Sequence, residues 1–395
     1  MDAHDVQRRV EGDARRGIAG NGGAAEGDAV DTGPLAERLP VARARAGAFL
    51  DALPRSARVV VFAHFDADGL AAGALFGRAL PRLGFGDVCV VPSGRGESAF
   101  SDGARERLRT LAPDALVVTD LGVRADGVLP GVPTLYVDHH RPEGGPPAPA
   151  VVVTGYGWDP IPCSAWLAWE LLAPLVAEAG APTDDLLWLA ALGTVSDLGD
   201  AAPWPPLAEA KRRYTAKWIR EGVALVNAAR RASAFDVATP LALLLGAEHP
   251  RALAEDGAGG ADRLRAYRAE VNAALAVARR QAPVFAAGDS PWALLALDSP
   301  CQIHPLIAQQ WRARLPKHAV MAANRGYLPD VVAFSCRTAR EELHLGRLLQ
   351  AVELGEWTGR IGHGHDRATG GHLPPAAFAR LLAGLGFPER AVAGR

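Results

Sequence analysis

From residue 58 onward, short β-branched runs alternate with helix-like stretches, and this alternation constrains the fold more than any other feature. Runs such as RVVVFA, VCVVP, ALVVT, TLYV and AVVVT are continuously apolar, without the apolar–polar alternation of a half-exposed strand. Such runs are typical of strands buried on both faces of a parallel sheet. Strands that alternate with helices form doubly wound α/β domains. We therefore predict an α/β fold with a doubly wound, mainly parallel sheet.

The composition divides the chain of 395 residues into four expected parts. Residues 1–33 are rich in Gly, Ala, Asp and Arg with almost no large apolar side chains, so we expect a disordered tail. Residues 34–204 are expected to form the α/β domain with an N-terminal helix, and 205–288 a helical connector. Residues 289–395 are expected to form a smaller α+β domain.

Charge, apolar runs and cysteines argue against several classes of protein. A net charge of −2 gives no overall basic footprint, so nucleic-acid binding would need a local basic groove. No apolar run reaches the ~18 residues of a membrane span, and the N-terminus lacks a secretory signal, so a cytoplasmic location is expected. The four cysteines are widely separated and indicate neither a disulfide framework nor a zinc knuckle.

Polar clusters follow three predicted strands and end one predicted helix. They are His64-Asp66-Asp68 in HFDADG, Asp120 in TDLG, Asp138-His139-His140 in VDHH, and Asp197 in GTVSDLGD. The carboxyl ends of parallel strands border the crevice where ligands bind, so these groups should converge. Carboxylates and imidazoles gathered there need a cation to offset their repulsion and desolvation. Oxygen and nitrogen ligands suit Mn²⁺ or Mg²⁺ better than structural zinc.

Each cluster also has a simpler interpretation. HFDADG alone is typical of an Asp-rich turn that caps the next helix, and Asp120 alone of a turn residue. A histidine pair after a strand is often only a polar sheet edge, and Asp197 alone indicates almost nothing. The joint occurrence of all four clusters in one α/β unit favours a metal site.

Together the clusters resemble the four motifs of the DHH phosphoesterase family, in the family's order over residues 58–200. The C-terminal stretch GHGHDRATGG (362–371) resembles the GGGHxxAAG signature of the DHH-associated C-terminal domain, and FSCR resembles that domain's strand-borne arginine. The spacing of the first motif is closer to RecJ-like and archaeal-type nucleases than to the pyrophosphatases, because Phe62 occupies the position of the pyrophosphatase histidine.

The resemblance implies two divalent metal ions, usually Mn²⁺, with Mg²⁺ as the alternative. His64 and Asp66 would bind one ion, and Asp120 would bridge the two. The other ion would be bound by Asp68, His139 and Asp197. His64 is the ligand to check first, because it stands two rather than four residues before Asp66.

Asp120, Asp138 and His140 are the candidate catalytic residues. In this hypothesis Asp138 orients a neighbouring histidine, and His140 lies on the phosphate side of the centre. The resemblance also implies that the C-terminal domain binds substrate across a cleft. Candidate contacts are Arg337, His365 and Arg367 for phosphate, and Gly364, Gly370 and Gly371 for close backbone approach to an anion.

The resemblance implies a Mn²⁺-dependent exonuclease or phosphodiesterase acting on single-stranded DNA, RNA or short oligonucleotides. No OB-fold module is expected after the C-terminal domain, which favours short substrates, whereas the arginine-rich connector could follow a phosphate backbone or be a solvated helix face. Two alternatives stay open. One is hydrolysis of a cyclic dinucleotide, a phosphorylated nucleoside or pyrophosphate; the other is a non-catalytic nucleic-acid-binding relative, which the complete ligand set disfavours. A homodimer is one expectation for the oligomeric state.

Overall fold

A five-stranded parallel sheet forms the first half of the protein. The computed structural model describes residues 32–255, 259–358, 361–362 and 364–388, so the predicted tail lies outside this range apart from its last two residues. The strand order is β3-β2-β4-β5-β6, and all neighbours are parallel. The strands are β2 (Arg58–Ala63), β3 (Asp87–Pro92), β4 (Ala115–Thr119), β5 (Thr134–Asp138) and β6 (Ala150–Thr154). A separate pair joins β1 (Gly33–Pro34) to β7 (Trp158–Asp159).

Helices cover both faces of this sheet, as the continuously apolar strands predict. Val59 and Val61 pack on one face with helices α1, α2, α4 and α5, while Val60 and Phe62 pack on the other with α3. Each fully buried side chain of this size stabilises the fold by roughly 1.5–3 kcal/mol relative to exposure. The helices are α1 (Leu35–Asp51), α2 (Ala67–Arg82), α3 (Asp102–Thr110), α4 (Ser164–Glu178) and α5 (Leu187–Leu198). The predicted doubly wound sheet is confirmed.

Four helices follow this sheet, namely α6 (Pro205–Tyr214), α7 (Ala216–Arg231), α8 (Ala238–Gly246) and α9 (Gly260–Ala278). Leu225 and Val226 of α7 join the core of the first sheet, whereas Val271 and Leu275 of α9 join the core of the second. This helical segment therefore packs against both sheets. Among the described residues, no helix combines the length and apolar character needed to cross a membrane.

A six-stranded mixed sheet forms the second half, in the order β12-β13-β11-β10-β9-β8. Its strands are β8 (Val284–Phe285), β9 (Trp292–Leu297), β10 (Ala319–Asn324), β11 (Val332–Thr338), β12 (Gly364–His365) and β13 (Ala368–Leu373). Helix α10 (His304–Arg314) packs on one face, and α11 (Leu345–Gln350) and α12 (Pro375–Gly384) on the other. Because β8 pairs with β9, this sheet begins a few residues before the expected boundary at 288.

The strand order of the first sheet reverses at β2, because β3 lies on one side of it and β4 on the other. At such a switch point the connections leave the sheet in opposite directions and open a crevice at the carboxyl ends of the strands. HFDADG follows β2 and TDLG follows β4. The fold therefore places the first two polar clusters at this crevice.

Candidate metal centre and adjoining cavity

The first polar cluster serves as both a helix cap and a corner of the crevice. Asp66 is the N-cap of α2, and its Oδ1 accepts a hydrogen bond from the Gly69 amide at 3.1 Å. A Cβ at Gly69 would lie 2.4 Å from the His64 Cβ, so only glycine allows this tight turn. HFDADG therefore both caps α2 and forms part of the crevice.

Asp120 lies at the centre of the arrangement in an unusual backbone conformation. Its φ of +62° places a non-glycine residue in the sparsely populated left-handed region. The residue is 4% exposed, and its carboxylate accepts a hydrogen bond from the Ser164 hydroxyl at 3.0 Å. Backbone strain of this kind is often found at functional sites.

Asp68 lies behind Asp120 and is held by the start of α4. Its two carboxylate oxygens accept hydrogen bonds from the amides of Ser164 and Ala165, each at 2.9 Å. A Cβ at Gly193 would lie 2.7 Å from the Asp68 Oδ1 and 2.3 Å from the Ala165 Cβ. The glycine in GTVSDLGD thus permits α5 to approach Asp68 closely.

Asp138 organises the third cluster through hydrogen bonds. Its Oδ1 accepts from the amides of His139 and His140 at 2.7 and 2.6 Å and lies 3.0 Å from the His140 Nδ1. Its Oδ2 accepts from the Gly122 amide at 2.7 Å, just beyond Asp120. Asp138 therefore connects the loops that carry Asp120 and the two histidines.

The structure brings together all eight residues of the four polar clusters. Among the residues that the structure describes, three groups have ligand atoms that all lie within 4.8 Å of one another: His64-Asp66-Asp120, Asp68-His139-Asp197 and Asp120-His139-His140. Asp120 belongs to two of these groups, and its Oδ1 lies 3.3 Å from the His139 Nε2. This arrangement offers two adjacent sets of oxygen and nitrogen ligands with Asp120 between them.

The surroundings of the His64 imidazole would suit a divalent ion. Its Nδ1 lies 3.2 Å from the Asp66 Oδ1 and 3.4 Å from the Asp120 Oδ2. The same nitrogen is buried, and its geometry gives no hydrogen bond to any described residue. A buried nitrogen without a partner, turned towards two carboxylates, has the surroundings of a metal ligand. Carboxylate ligands suit both Mn²⁺ and Mg²⁺.

The electrostatics of the centre indicate an excess of buried negative charge. Burial, followed by the charges of Asp120 and Asp197, raises the pKa of Asp68 to about 8. Although burial alone would lower it, the neighbouring carboxylates raise the pKa of His139 to about 10, and His64 behaves likewise. A raised pKa at Asp68 beside raised pKa values at the two histidines indicates a place where positive charge is favoured.

Arg230, near the end of α7, extends from the helical segment to this centre. Its Nη1 donates to the Gln302 Oε1 at 2.9 Å, and its guanidinium lies 5.5 Å from the centre of the Phe65 ring. Although burial raises the pKa of Asp66, the opposing charges of His64 and then Arg230 lower it. Arg230 is therefore a half-buried cation at the crevice, and not part of a solvated helix face.

The more N-terminal basic residues of the connector are paired with acids. Asp200 binds both Lys211 and Arg220, at 3.2 and 2.6 Å, and Arg213 binds Asp184 at 2.8 Å. These ion pairs neutralise much of the positive charge in AKRRYTAKWIREG. A phosphate backbone bound there would have to displace them.

A cavity of about 360 Å³ lies beside the metal centre, between the two sheets. Phe65 from the first polar cluster lines one side, and Arg337, Gly370 and Gly371 line the other. The Arg337 Nη1 donates to the carbonyls of Cys336 and Thr369, which fixes the guanidinium on the sheet. Three of the predicted substrate contacts thus lie at one cavity.

The other three predicted substrate contacts have different positions. Gly364 and His365 form β12 beside β13, and the His365 side chain lies outside the described part of the structure. The exposed Arg367 donates to the Glu341 Oε1 at 3.1 Å and does not line the cavity. Arg337, and not Arg367, therefore lines the cavity.

Several residues around the centre have no strong signal in the sequence. Ser164, Arg230, His304 and Tyr327 belong neither to the four polar clusters nor to the two C-terminal signatures. A weak signal exists for Arg95, which stands in the Gly- and Ser-containing loop SGRGES directly after β3. Because loops at the carboxyl ends of parallel strands border the ligand crevice, the arginine in this loop could have been selected as a candidate.

Known proteins with similar sequences are exonucleases. No protein-family model matches the sequence. The chain is 32% identical over 163 residues to the single-stranded-DNA-specific exonuclease RecJ of Haemophilus influenzae, and 30% identical over 186 residues to that of Thermus thermophilus. The matches cover 36% and 44% of this chain, and the chain spans 28% of the length of each relative.

Solved structures with the same fold are similar over nearly the whole chain. A crystal structure of exonuclease RecJ bound to manganese has a TM-score of 0.62 and 22% identity, covering 89% of this chain and 94% of that one. RecJ of Thermus thermophilus with Mn²⁺ has a TM-score of 0.62, 21% identity and coverage of 89% and 54%. The DHH domain of a member of the s1p family of ribosomal proteins also scores 0.62, with 14% identity and 99% coverage of both chains. At these identities the similarity concerns the fold, and it confirms the predicted fold class.

Proposed function

We propose that this chain is a RecJ-like protein of the DHH family and that it hydrolyses phosphodiester bonds of single-stranded nucleic acid or short oligonucleotides with divalent cations. The observation that carries the proposal is the convergence of four polar clusters at the switch point of a parallel sheet, beside a cavity. The relatives' names, which specify single-stranded DNA, support the substrate class. Metal-bound structures with the same fold support the cofactor.

The ligand groups suggest how two ions would be held. His64 and Asp66 would bind one ion, and Asp120 would be shared. Asp68, His139 and Asp197 would bind the other ion. Bound divalent ions lower the pKa of water and neutralise charge that develops on a phosphoryl group during an in-line displacement. We propose Mn²⁺ as the physiological ion, with Mg²⁺ as the alternative.

The protein's own side chains would orient the phosphodiester. Asp138 holds the His140 ring through its Nδ1, and half of the His140 side chain is exposed to the crevice. His140 is therefore placed to donate to a phosphate oxygen from the open side. Arg230 adds a fixed positive charge near Asp66, and Arg337 offers a second one across the cavity. Together these groups would bind anionic substrate on both sides of the centre.

The experiment that tests this function is a hydrolysis assay with the full chain. End-labelled single-stranded DNA, RNA and dinucleotides would be incubated with Mn²⁺, Mg²⁺ or a chelator. We expect metal-dependent cleavage by the wild type and a loss of about 10³-fold or more in Asp120→Ala and His139→Ala, because each removes a metal ligand.

Asp126→Asn is the matched control, because Asp126 is an exposed aspartate that belongs to none of the three ligand groups and forms an ion pair with Arg105 at 2.7 Å. Its activity should match that of the wild type. Cleavage that persists in a chelator, or in both ligand variants, would refute the two-metal proposal. Cleavage of dinucleotides alone would refute a long-strand nuclease and retain the phosphodiesterase.

A further inference from the structure

A chain of hydrogen bonds between side chains crosses the helical segment beside the proposed metal centre. Asn227 of α7 is 7% exposed, and its Nδ2 donates to the Ser196 Oγ on α5 at 3.0 Å. Its Oδ1 accepts from the Arg230 Nε, about one turn further along α7, at 2.9 Å. Ser196 directly precedes Asp197, a candidate metal ligand. Asn227 therefore connects the helix that carries Asp197 with the arginine at the crevice.

A second hydrogen bond to Arg230 comes from the other half of the molecule. The Gln302 Oε1 accepts from the Arg230 Nη1 at 2.9 Å, and the Gln302 backbone amide donates to the Arg231 carbonyl at 2.8 Å. Gln302 lies in the loop between β9 and α10. Because a guanidinium can only donate, Asn227 and Gln302 must both turn their amide oxygens towards it, which fixes the orientation of each amide.

These bonds leave one end of the Arg230 guanidinium free. Its hydrogen bonds to described residues use Nε and Nη1 but not Nη2, and within the described part of the chain it forms no ion pair. Burial lowers the pKa of Arg230, and the charge of Asp66 opposes this and raises the pKa. A guanidinium that keeps its charge, is held on two sides and has unused donors at a crevice is suited to bind an anion.

A purely structural role does not explain why residue 227 is an asparagine. The residue lies in the interior of α7, where asparagine has a lower helix propensity than alanine or leucine. Its neighbours Val226 and Ala228 are buried and apolar, and burying a polar side chain is unfavourable unless it forms hydrogen bonds. Both hydrogen bonds of Asn227 go to side chains of other polar residues. The polar character of Asn227 is therefore explained by the two groups that it connects.

We propose that Asn227 is a positioning residue, which fixes the Arg230 guanidinium at the crevice so that its free donors bind an anionic group of the substrate. This inference rests on the proposed function, in which Arg230 supplies a fixed positive charge beside the metal centre. Without an acceptor at position 227, the long arginine side chain would regain rotamer freedom, and binding an anion would require it to be ordered again. Gln302 holds Arg230 from the second half, whereas Asn227 holds it from the helix that carries it.

The first test observes Arg230 directly and needs neither metal nor hydrolysis. In heteronuclear NMR spectra of the metal-free full chain, a hydrogen-bonded Nε–H shielded from water exchanges slowly, and Arg230→Lys assigns its signal by removing it. We expect Asn227→Leu to raise the exchange rate of this Nε–H at least about tenfold, because leucine offers no acceptor. Asn227→Asp should retain the protected signal, because a carboxylate oxygen also accepts from Nε.

The second test measures binding of a fluorescein-labelled single-stranded oligonucleotide to the metal-free chain, kept in a chelator, by fluorescence anisotropy. Asn227→Leu should bind about fivefold more weakly, because Arg230 is no longer ordered before the anion arrives. Asn227→Asp should bind at least as weakly, because its carboxylate neutralises the arginine that it holds. The two variants therefore separate the position of Arg230 from its charge. With Mn²⁺, both should raise KM more than they lower kcat.

Glu221→Gln is the matched control on α7, because Glu221 forms an ion pair with Arg268 of α9 and belongs to none of the ligand groups. It should leave the Nε–H signal and the oligonucleotide affinity unchanged. A protected Nε–H signal in Asn227→Leu would overturn the inference. So would a lower melting temperature of this variant with unchanged affinity and KM, and either result would leave the nuclease in place. A wild type that shows the protected signal but neither binds nor cleaves oligonucleotides would refute the proposed function and, with it, the anionic ligand of Arg230.

Discussion

Asp138 is the residue on which the geometry of the proposed metal centre depends most. Its carboxylate accepts three backbone hydrogen bonds, from the amides of Gly122, His139 and His140. It is 1% exposed, so water cannot replace these bonds. Without being part of any of the ligand groups, Asp138 fixes the positions of Asp120 and of both histidines.

Asp138→Asn should therefore reduce both stability and activity. An amide places an N–H donor opposite at least one backbone N–H, which leaves a buried donor unpaired and costs about 1–3 kcal/mol of unfolding free energy. We expect at least a tenfold fall in kcat from misplaced histidines. Urea unfolding and steady-state kinetics would measure the two effects. An Asp138→Asn protein that retains full activity would show that Asp138 does not position the histidines.

Divalent ions should stabilise the fold through the same residues. Ions that bind the native crevice and not the unfolded chain add about 2.7 kcal/mol of unfolding free energy at a hundredfold excess over Kd. We expect Mn²⁺ to raise the melting temperature of the wild type by several degrees and to have no effect on Asp120→Asn, which lacks the shared ligand. Asp126→Asn should respond like the wild type. An equal Mn²⁺-induced rise in the melting temperature of Asp120→Asn would show that the ions bind away from Asp120.

The residues of the polar clusters could be predicted from the sequence, whereas the cavity residues Tyr327 and His304 could not. Asp66, Asp120 and Asp138 each follow an apolar run, so strand ends and parallel topology together predict their convergence. Tyr327 and His304 belong to different elements of the second unit and have no spacing that relates them. Their proximity depends on how β10, β11 and α10 pack, which no local pattern encodes.

Among the helices, α2 carries the first polar cluster and depends on long-range contacts for its position. Its apolar face packs against α4 and α5. Its C-terminal part is held by Asp185, which lies just before α5. Arg78 binds Asp185 at 2.8 Å, and Arg82 binds the same carboxylate at 2.9 and 2.6 Å. A shift of this helix would move Asp66 and Asp68 together.

Asp185→Asn should destabilise the protein by about 1–3 kcal/mol at neutral pH, because the buried Arg78 loses its anion. Burial raises the pKa of Asp185, but the bonds from Arg82 and then Arg78 outweigh it and lower the pKa below 3.8. A lowered pKa means that the stabilisation is complete above about pH 4 and is lost as the pH falls through the depressed value. Urea unfolding from pH 7 to pH 3 would show that the difference in unfolding free energy between Asp185→Asn and the wild type shrinks only at the acidic end. A difference that is constant with pH would contradict this account.

Gly193 in α5 tests how closely that helix must approach Asp68. Gly193→Ala should cost about 1–3 kcal/mol, because the new Cβ overlaps both Ala165 and the Asp68 carboxylate. It should also weaken Mn²⁺ binding by displacing Asp68. Gly47→Ala in α1 is the matched control, since its Cβ would meet only a Leu175 methyl at 3.9 Å. That variant should be neutral or stabilising, by up to about 1 kcal/mol. Equal effects of the two substitutions would refute the close approach.

The whole molecule is held around the crevice by contacts between its two sheets, and Arg95 makes several of them. From the loop after β3, its guanidinium donates to the carbonyls of Pro300 at 2.7 Å and Ser233 at 3.3 Å. It also lies 4.5 Å from the centre of the Tyr327 ring. A single side chain thus connects the first sheet, the helical segment and the cavity wall.

Arg95→Ala should loosen the two halves without unfolding either. Spin labels placed on each sheet would report a broader distance distribution in Arg95→Ala than in the wild type. Arg95→Lys should give an intermediate result, because an ammonium cannot donate in the forked geometry of a guanidinium. Identical distributions in all three proteins would show that other contacts fix the relative position of the sheets.

The fold of each half could be predicted from the sequence, but the relative position of the halves could not. Apolar runs and helical periods define each sheet and its covering helices locally. The crevice depends on single long-range contacts such as those of Arg95 and Arg230, and an arginine in a sequence does not specify its partner. For that reason the sequence predicts a cleft but not the cavity within it.

The central claim is that two divalent ions bind where the four polar clusters meet. Anomalous diffraction from crystals of the full chain soaked in Mn²⁺ tests it most directly. We predict two anomalous peaks, one within reach of His64, Asp66 and Asp120, and the other within reach of Asp68, His139 and Asp197. Peaks elsewhere, or no peak at Asp120 at saturating Mn²⁺, would contradict the claim.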